Sequence, residues 1–231
     1  MGTLHDTAPL STVKVVLFSG GRGSGVLSRE LIRNPQVSLT LAVNGYDDGA
    51  STGEIRRFLG DCLGPSDFRK NASRLARELQ SCSTTLIDLL DLRLPVGCSE
   101  AEAIDALHAI CEEPAPPPSG FRAVLQALCR GMEAASRKAI ANSLSLFEDE
   151  FRRAGRTFVW SDCSVGNLTF AGCFLCAGRD FNRAVEEYCA LLHLPAELIE
   201  NVTTGGNAWL VAMDSENRLV GSEAEIVDAG T

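Results

Sequence analysis

Nothing in this 231-residue sequence approaches the apolar run of about 20 residues that a membrane-spanning helix needs. No charged-then-apolar layout opens it, so no export signal is read, and Asp6 stands where a myristoylation pattern requires Ser or Thr. A surplus of basic charge is also missing. The net charge of −9 excludes a general binder of nucleic-acid backbones. Histidine is scarce, and His5, His108 and His193 lie too far apart in sequence to suggest zinc ligation. Cysteine is plentiful, but nine residues make an odd, scattered set. A disulfide framework is therefore not expected, and reduced thiols of a cytoplasmic protein are. Cys173 and Cys176 form a lone CxxC in an apolar stretch. Without a second pair of ligands they read as small core-filling side chains.

What is present is ordinary globular composition, with 45% hydrophobic and 22% charged residues, so a disordered chain is excluded. Residues 13–19, VKVVLFS, are β-branched and apolar and read as a buried strand. A glycine loop follows, then a helix ended by Asn34-Pro35, then a second strand, VSLTLAV, at 37–43. This is one right-handed βαβ unit, and it predicts a Rossmann-like α/β fold with a parallel sheet and helices on both faces. The loops after both strands open at the carboxyl ends of the sheet, where ligands bind in open α/β sheets. A mostly helical stretch is predicted over 67–111, a proline-rich linker over 112–120, and one long amphipathic helix over 121–154. TFVW at 157–160 reads as a strand, the segments after Gly166 as two helices, and 207–227 as a hairpin.

Three clusters could carry chemistry. Ser19-Gly20-Gly21-Arg22-Gly23-Ser24-Gly25 turns a strand into a helix, so backbone N–H groups and the helix dipole can face a phosphate. It lacks the Lys-Ser/Thr of a Walker A loop and the strict GxGxxG spacing, and a tight structural turn is the plainer reading. The second loop runs Asn44-Gly45-Tyr46-Asp47-Asp48-Gly49-Ala50-Ser51-Thr52-Gly53. Two adjacent carboxylates there can hold a divalent cation or accept from ligand hydroxyls. Ser51 and Thr52 can start a helix whose second turn carries Arg56 and Arg57, though a solvated Asp-Asp-Gly turn also explains the acids. In the third, Pro65-Ser66-Asp67-Phe68-Arg69-Lys70, Asp67 can cap a helix. Arg69 and Lys70 oppose its dipole, which argues for an anion nearby.

At these clusters the sequence resembles the 2-phospho-L-lactate transferase family, nearer its gluconeogenesis-factor-like branch. The family's GGGTG loop, DDGGSSGRLR segment, PGDIRN segment, SxGN helix start and terminal GExxI segment are matched in order. Here they read SGGRGSG, DDGASTGEIR, PSDFRK, Ser164-Val165-Gly166-Asn167 and GSEAEI at 221–226. Arg22 replaces a small residue, and Lys70 stands where many relatives have Asn. The family continues into a further strand and a glycine- and serine-rich loop, so the chain is expected to be truncated at its C-terminus. The resemblance implies one α/β domain over 1–231 with a helical insertion at about 72–156. Family transferases move 2-phospholactate from a GDP-linked donor to a deazaflavin acceptor with magnesium. The regulatory branch binds nucleotide-sugars such as UDP-N-acetylglucosamine without turnover. Gly20, Gly21, Gly23, Ser24 and Gly25 would then cradle phosphate, and Asp47 and Asp48 would hold the metal. Asp48, Asp67 and Arg69 are the expected catalytic groups. Asn44, Ser51, Thr52, Arg56, Lys70 and Asn167 are expected around the ligand. A nucleotide-diphosphate partner and a homodimer are expected, with no membrane or nucleic acid. A dinucleotide-binding oxidoreductase domain is a third reading, but it does not expect PSDFRK or SVGN.

Overall fold

β1 (Val13–Ser19) and β2 (Val37–Val43) form where the apolar, β-branched runs lie, and they pair in parallel with Val13 opposite Val37 and Ser19 opposite Val43. Between them α1 (Gly25–Arg33) crosses over and stops at Asn34, because Pro35 cannot continue it. A third parallel strand, β3 (Ile199–Asn201), pairs on the other edge of β2 with Asn201 opposite Val43, giving the order β1-β2-β3. Ser19, Val43 and Asn201 thus end level with one another. These statements, from a computed structural model, cover residues 12–20, 23–111, 120–209 and 211–221. Gly21, Arg22, the proline-rich residues 112–119 and residues 222–226 of the GSEAEI segment lie outside them.

The helices between β2 and β3 are α2 (Ala50–Leu59), α3 (Ser66–Leu79), α4 (Thr84–Asp91), α5 (Glu100–Cys111), α6 (Gly120–Arg130), α7 (Ala134–Ala154), α8 (Val165–Cys176) and α9 (Phe181–Leu191). α8 is apolar almost all round and lies at the centre, packed against α2, α3, α4, α7 and α9. The ends follow local chemistry. The Ser83 hydroxyl accepts from the Leu86 amide at 3.3 Å, and the Asp180 carboxylate accepts from the Arg183 amide at 3.1 Å. β4 (Ala212–Met213) and β5 (Leu219–Val220) form a short antiparallel hairpin within the expected 207–227 segment. The architecture is a Rossmann-like α/β fold, but the helices cover the sheet unevenly. Leu39, Leu41 and Val43 are buried, whereas Val16 and Phe18 on β1 are exposed.

Three expectations are corrected. β1 is not a buried strand, because helices cover one of its faces only and Ser19 alone of its seven residues is buried. The single helix over 121–154 is two helices, because the chain turns at Gly131-Met132-Glu133. A Cβ on Gly131 would collide with Thr85, whose hydroxyl donates to the Gly131 carbonyl at 2.8 Å. TFVW is not a strand. Its rings are drawn instead into an aromatic cluster, with Phe158 5.4 Å from Phe58 and 4.8 Å from Trp160. The core-filling reading of the CxxC holds for Cys173, which is buried and whose thiol is pushed up to about 12. Cys176 is exposed. All nine cysteines are among the described residues and none is in a disulfide. No helix of the described residues is long and apolar enough to cross a membrane.

Candidate functional site at the strand ends

The level strand ends place three loops side by side: one after β1, described at Gly20, Gly23 and Ser24, then 44–49 after β2 and 202–209 after β3. The first is pinned from below by α3. The buried Ser19 hydroxyl meets the Ser24 hydroxyl and donates to Asn71 Oδ1 at 3.3 Å. Asn71, fully buried, donates from Nδ2 to the carbonyls of Gly20 at 3.1 Å and Asp67 at 2.8 Å. Arg74 donates to Asn71 Oδ1 and lies against Gly25, where a Cβ would come 3.2 Å from its guanidinium. A cation therefore flanks the start of α1, whose first turn carries no acidic residue. Gly20 and Gly23, like Gly206 in the third loop, differ from the closely packed Gly25, Gly45, Gly53 and Gly64. Neither has a positive φ, and among the described residues a Cβ on either would meet nothing within 4 Å. Neither backbone conformation nor packing calls for glycine there.

The second loop is shaped by its own side chains. Asn44 Oδ1 accepts from the Tyr46 amide at 2.9 Å and Asp47 Oδ1 from the Gly49 amide at 3.0 Å, two Asx turns that lead into α2. The Asp48 carboxyl is raised above the usual carboxylate range, first by burial and also by Asp47, against the opposing pull of Arg56. Asp67, at the start of α3, is raised by burial and by Asp47, while Lys70, 3.4 Å away, lowers it. Asp47, Asp48 and Asp67 thus form an acidic lip beside the glycine loop. No group of three or more His, Cys, Asp or Glu side chains among the described residues could hold a metal ion unaided. The donor set is hard oxygen from a few carboxylates. It fits magnesium held by one or two of them and completed by phosphate and water.

Several expected ligand contacts are placed elsewhere. Arg69 is buried, donating from Nε to Asn167 Oδ1 and from Nη1 to Asp91 Oδ1, both at 3.0 Å. Asn167 Nδ2 donates to Ser51 Oγ at 2.9 Å and lies 3.4 Å from Ser66 Oγ, whose hydroxyl meets that of Thr52. Arg69, Asn167, Thr52, Ser51 and Ser66 therefore lock the starts of α2, α3 and α8 together behind the loops. Arg56 is also fully buried. It donates to the carbonyls of Tyr46 at 3.1 Å, Asp47 at 3.2 Å and Ala208, and to Asn207 Oδ1 at 3.1 Å. Its guanidinium carbon lies 4.0 Å from the Trp209 ring centroid, so it buckles the second loop to the third. The structure does bring together Gly20, Gly23, Ser24, Gly25, Asp47, Asp48, Asp67 and Lys70; Gly21 lies outside the described residues.

The sequence reading missed Asn71, Arg74 and the whole third loop. The Asp67–Asn71 spacing of one helical turn was a usable signal for Asn71. Thr203-Thr204-Gly205-Gly206 after an apolar stretch was one for the loop.

No family model matches the chain, and no curated protein does. Solved structures do match. Two crystal structures of protein BH3568 from Bacillus halodurans, in one case described as a member of the UPF0052 family, superpose with TM-scores of 0.56 and 0.58 at 22% and 21% identity. The shared fold is Rossmann-like α/β. The alignments cover 96% and 95% of this chain but 49% and 48% of that protein, so the chain spans about half its length.

Proposed function

We propose that the strand-end loops bind a nucleoside diphosphate, as part of a 2-phospho-L-lactate-transferase-like protein. The observation that carries this reading is the pair Gly20 and Gly23, glycines that leave open space at a helix start flanked by Arg74. The acidic lip beside them supplies the carboxylates that a magnesium diphosphate needs. UPF0052 names the same family that the ordered motifs resemble, which adds weight without fixing a substrate.

The donor on this reading is a GDP-linked 2-phospholactate. Transfer to a deazaflavin acceptor breaks the diphosphate bond and leaves a nucleoside monophosphate. Bound magnesium would offset charge on the diphosphate. The chain's own part is to hold the donor. Backbone N–H groups from Gly20 to Gly25 would meet one phosphate, and Lys70, half-exposed beside Asp67, would approach the other. Arg69 and Asn167 act as positioning residues, because their polar atoms are already engaged. That engagement favours a second reading, a nucleotide-sugar-binding regulator without turnover, since the expected leaving-group cation does not face the crevice.

Calorimetry with GDP, UDP-N-acetylglucosamine and NAD, each with and without magnesium, tests the proposal. GDP or the nucleotide-sugar should bind and NAD should not. Gly23→Ala should fold normally yet lose about tenfold in affinity, or about 1.4 kcal/mol. Unchanged affinity in that variant, or failure of every diphosphate to bind, would refute it. Turnover with a deazaflavin acceptor separates enzyme from regulator.

A further inference from the structure

We propose that the exposed face of Trp209 is the stacking platform for the nucleobase of this ligand. The inference rests on the strand-end loops being a nucleoside-diphosphate site, and it assigns that site's base-recognition surface. The chain has only two tryptophans, and they are treated in opposite ways. Trp160 is 3% exposed inside the aromatic cluster, whereas Trp209 is 44% exposed. A large apolar ring left in water beside polar strand-end loops is a usual sign of a contact surface.

The ring is also held. The Arg56 guanidinium carbon lies 4.0 Å from its centroid, and that guanidinium is fixed by the carbonyls of Tyr46, Asp47 and Ala208 and by Asn207 Oδ1. Asn207 is tied in turn to the Gly60 carbonyl at 3.0 Å. A cation stacked on an indole that carries a base on its other side is a preorganised arrangement, so little ordering cost remains when the base arrives. Its position suits the chemistry. Through Arg56 the ring is joined to the acidic loop of Asp47 and Asp48, which leads through Asp67 and Asn71 to the glycine loop. A ligand with its base on Trp209 and its diphosphate at Gly20, Gly23 and Ser24 would lie across the carboxyl ends of the strands, the direction expected in open α/β sheets. Stacking accepts any base, because every base has a π face.

The test compares ligands with and without a base on the full chain. Inorganic pyrophosphate, GDP, UDP and UDP-N-acetylglucosamine are titrated against the wild type, Trp209→Leu and Trp209→Phe, with circular dichroism checking each fold. Trp209→Leu should weaken GDP and UDP by about tenfold and leave pyrophosphate unchanged, and Trp209→Phe should restore most of the loss. GDP should quench tryptophan fluorescence in the wild type and in Trp160→Phe, but not in Trp209→Phe. GDP affinity independent of residue 209 overturns the stacking role while the phosphate site stands. Equal weakening of pyrophosphate also overturns it, because the ring would then act only through Arg56. Loss confined to UDP-N-acetylglucosamine assigns the ring to the sugar and overturns the base assignment. Failure of pyrophosphate and nucleotides alike in the wild type overturns the underlying site as well.

Discussion

Behind the strand-end loops, α2, α3, α4 and α8 bury Arg69, Asn167, Thr52 and Ser66 in one hydrogen-bonded network. On β1, by contrast, Val16 is 60% and Phe18 77% exposed, and neither is engaged in the core. The two regions share a sheet and a set of loops yet follow opposite rules. In the first, polar groups are inside and paired, and glycine is required by contact. In the second, apolar groups are outside, and glycine next to them, at Gly20 and Gly23, is required by no contact among the described residues. The difference teaches where the molecule keeps its precision. Cations that look from the sequence like ligand contacts, Arg56 and Arg69, are spent on geometry. The groups left to meet a ligand are mostly backbone.

The largest effect separating these regions is expected at Gly166. A Cβ there would sit 2.5 Å from both Arg69 Cδ and the Leu90 carbonyl, and 3.0 Å from the Tyr188 hydroxyl. The carbonyl belongs to α4 and cannot rotate away. Gly166→Ala should therefore cost about 3 kcal/mol in urea unfolding, at the upper end for overpacking a core. A loss below about 1 kcal/mol would show that α8 can slide, and that the network is softer than its hydrogen bonds imply.

A smaller change of opposite sign is expected at Ala50. Its φ is +44°, a region an L side chain enters at a cost, and it stands where the resembled motif has glycine. Ala50→Gly should stabilise the chain by about 0.5–1 kcal/mol, because relief of that strain exceeds the added entropy of the unfolded state. A destabilised Ala50→Gly chain would mean that the second loop is not strained, and that Ala50 contributes to starting α2.

How much of this the sequence revealed depends on the range of the interaction. β1 and β2 were legible to the residue, because β-branched runs bounded by glycine and proline are local signals. The glycine loop and the acidic pair were legible for the same reason. The break between α6 and α7 was not, since apolar steps of three to five run through it and Gly131 is there for Thr85, 46 residues away. β3 has only three residues and no apolar run of its own. The internal partners of Arg69 and Arg56 were not legible from local charge. Their partners Asn167 and Asn207 lie 98 and 151 residues further along the chain. TFVW carried the right residue types for a strand, but three surrounding aromatic partners, Phe58, Phe147 and Phe151, outweighed pairing.

The smallest stability effect should come from the most exposed aromatic ring among the described residues. Phe18 sits on the outer face of β1, which it shares with Lys14 and Val16, and its ring makes little use of the core. Phe18→Ser should change unfolding free energy by about 0.5 kcal/mol or less, as surface substitutions do. Its effect should appear elsewhere. β1 has one edge unpaired among the described residues and an apolar outer face, the combination that promotes association between chains. Sedimentation velocity across a concentration series should show self-association in the wild type and less in Phe18→Ser. If Phe18→Ser instead costs about 2–3 kcal/mol, the price of a buried aromatic, then Phe18 is covered in solution, and the contrast between the two regions fails at β1. If stability and association are both unchanged, the contrast stands, but the open face is inert.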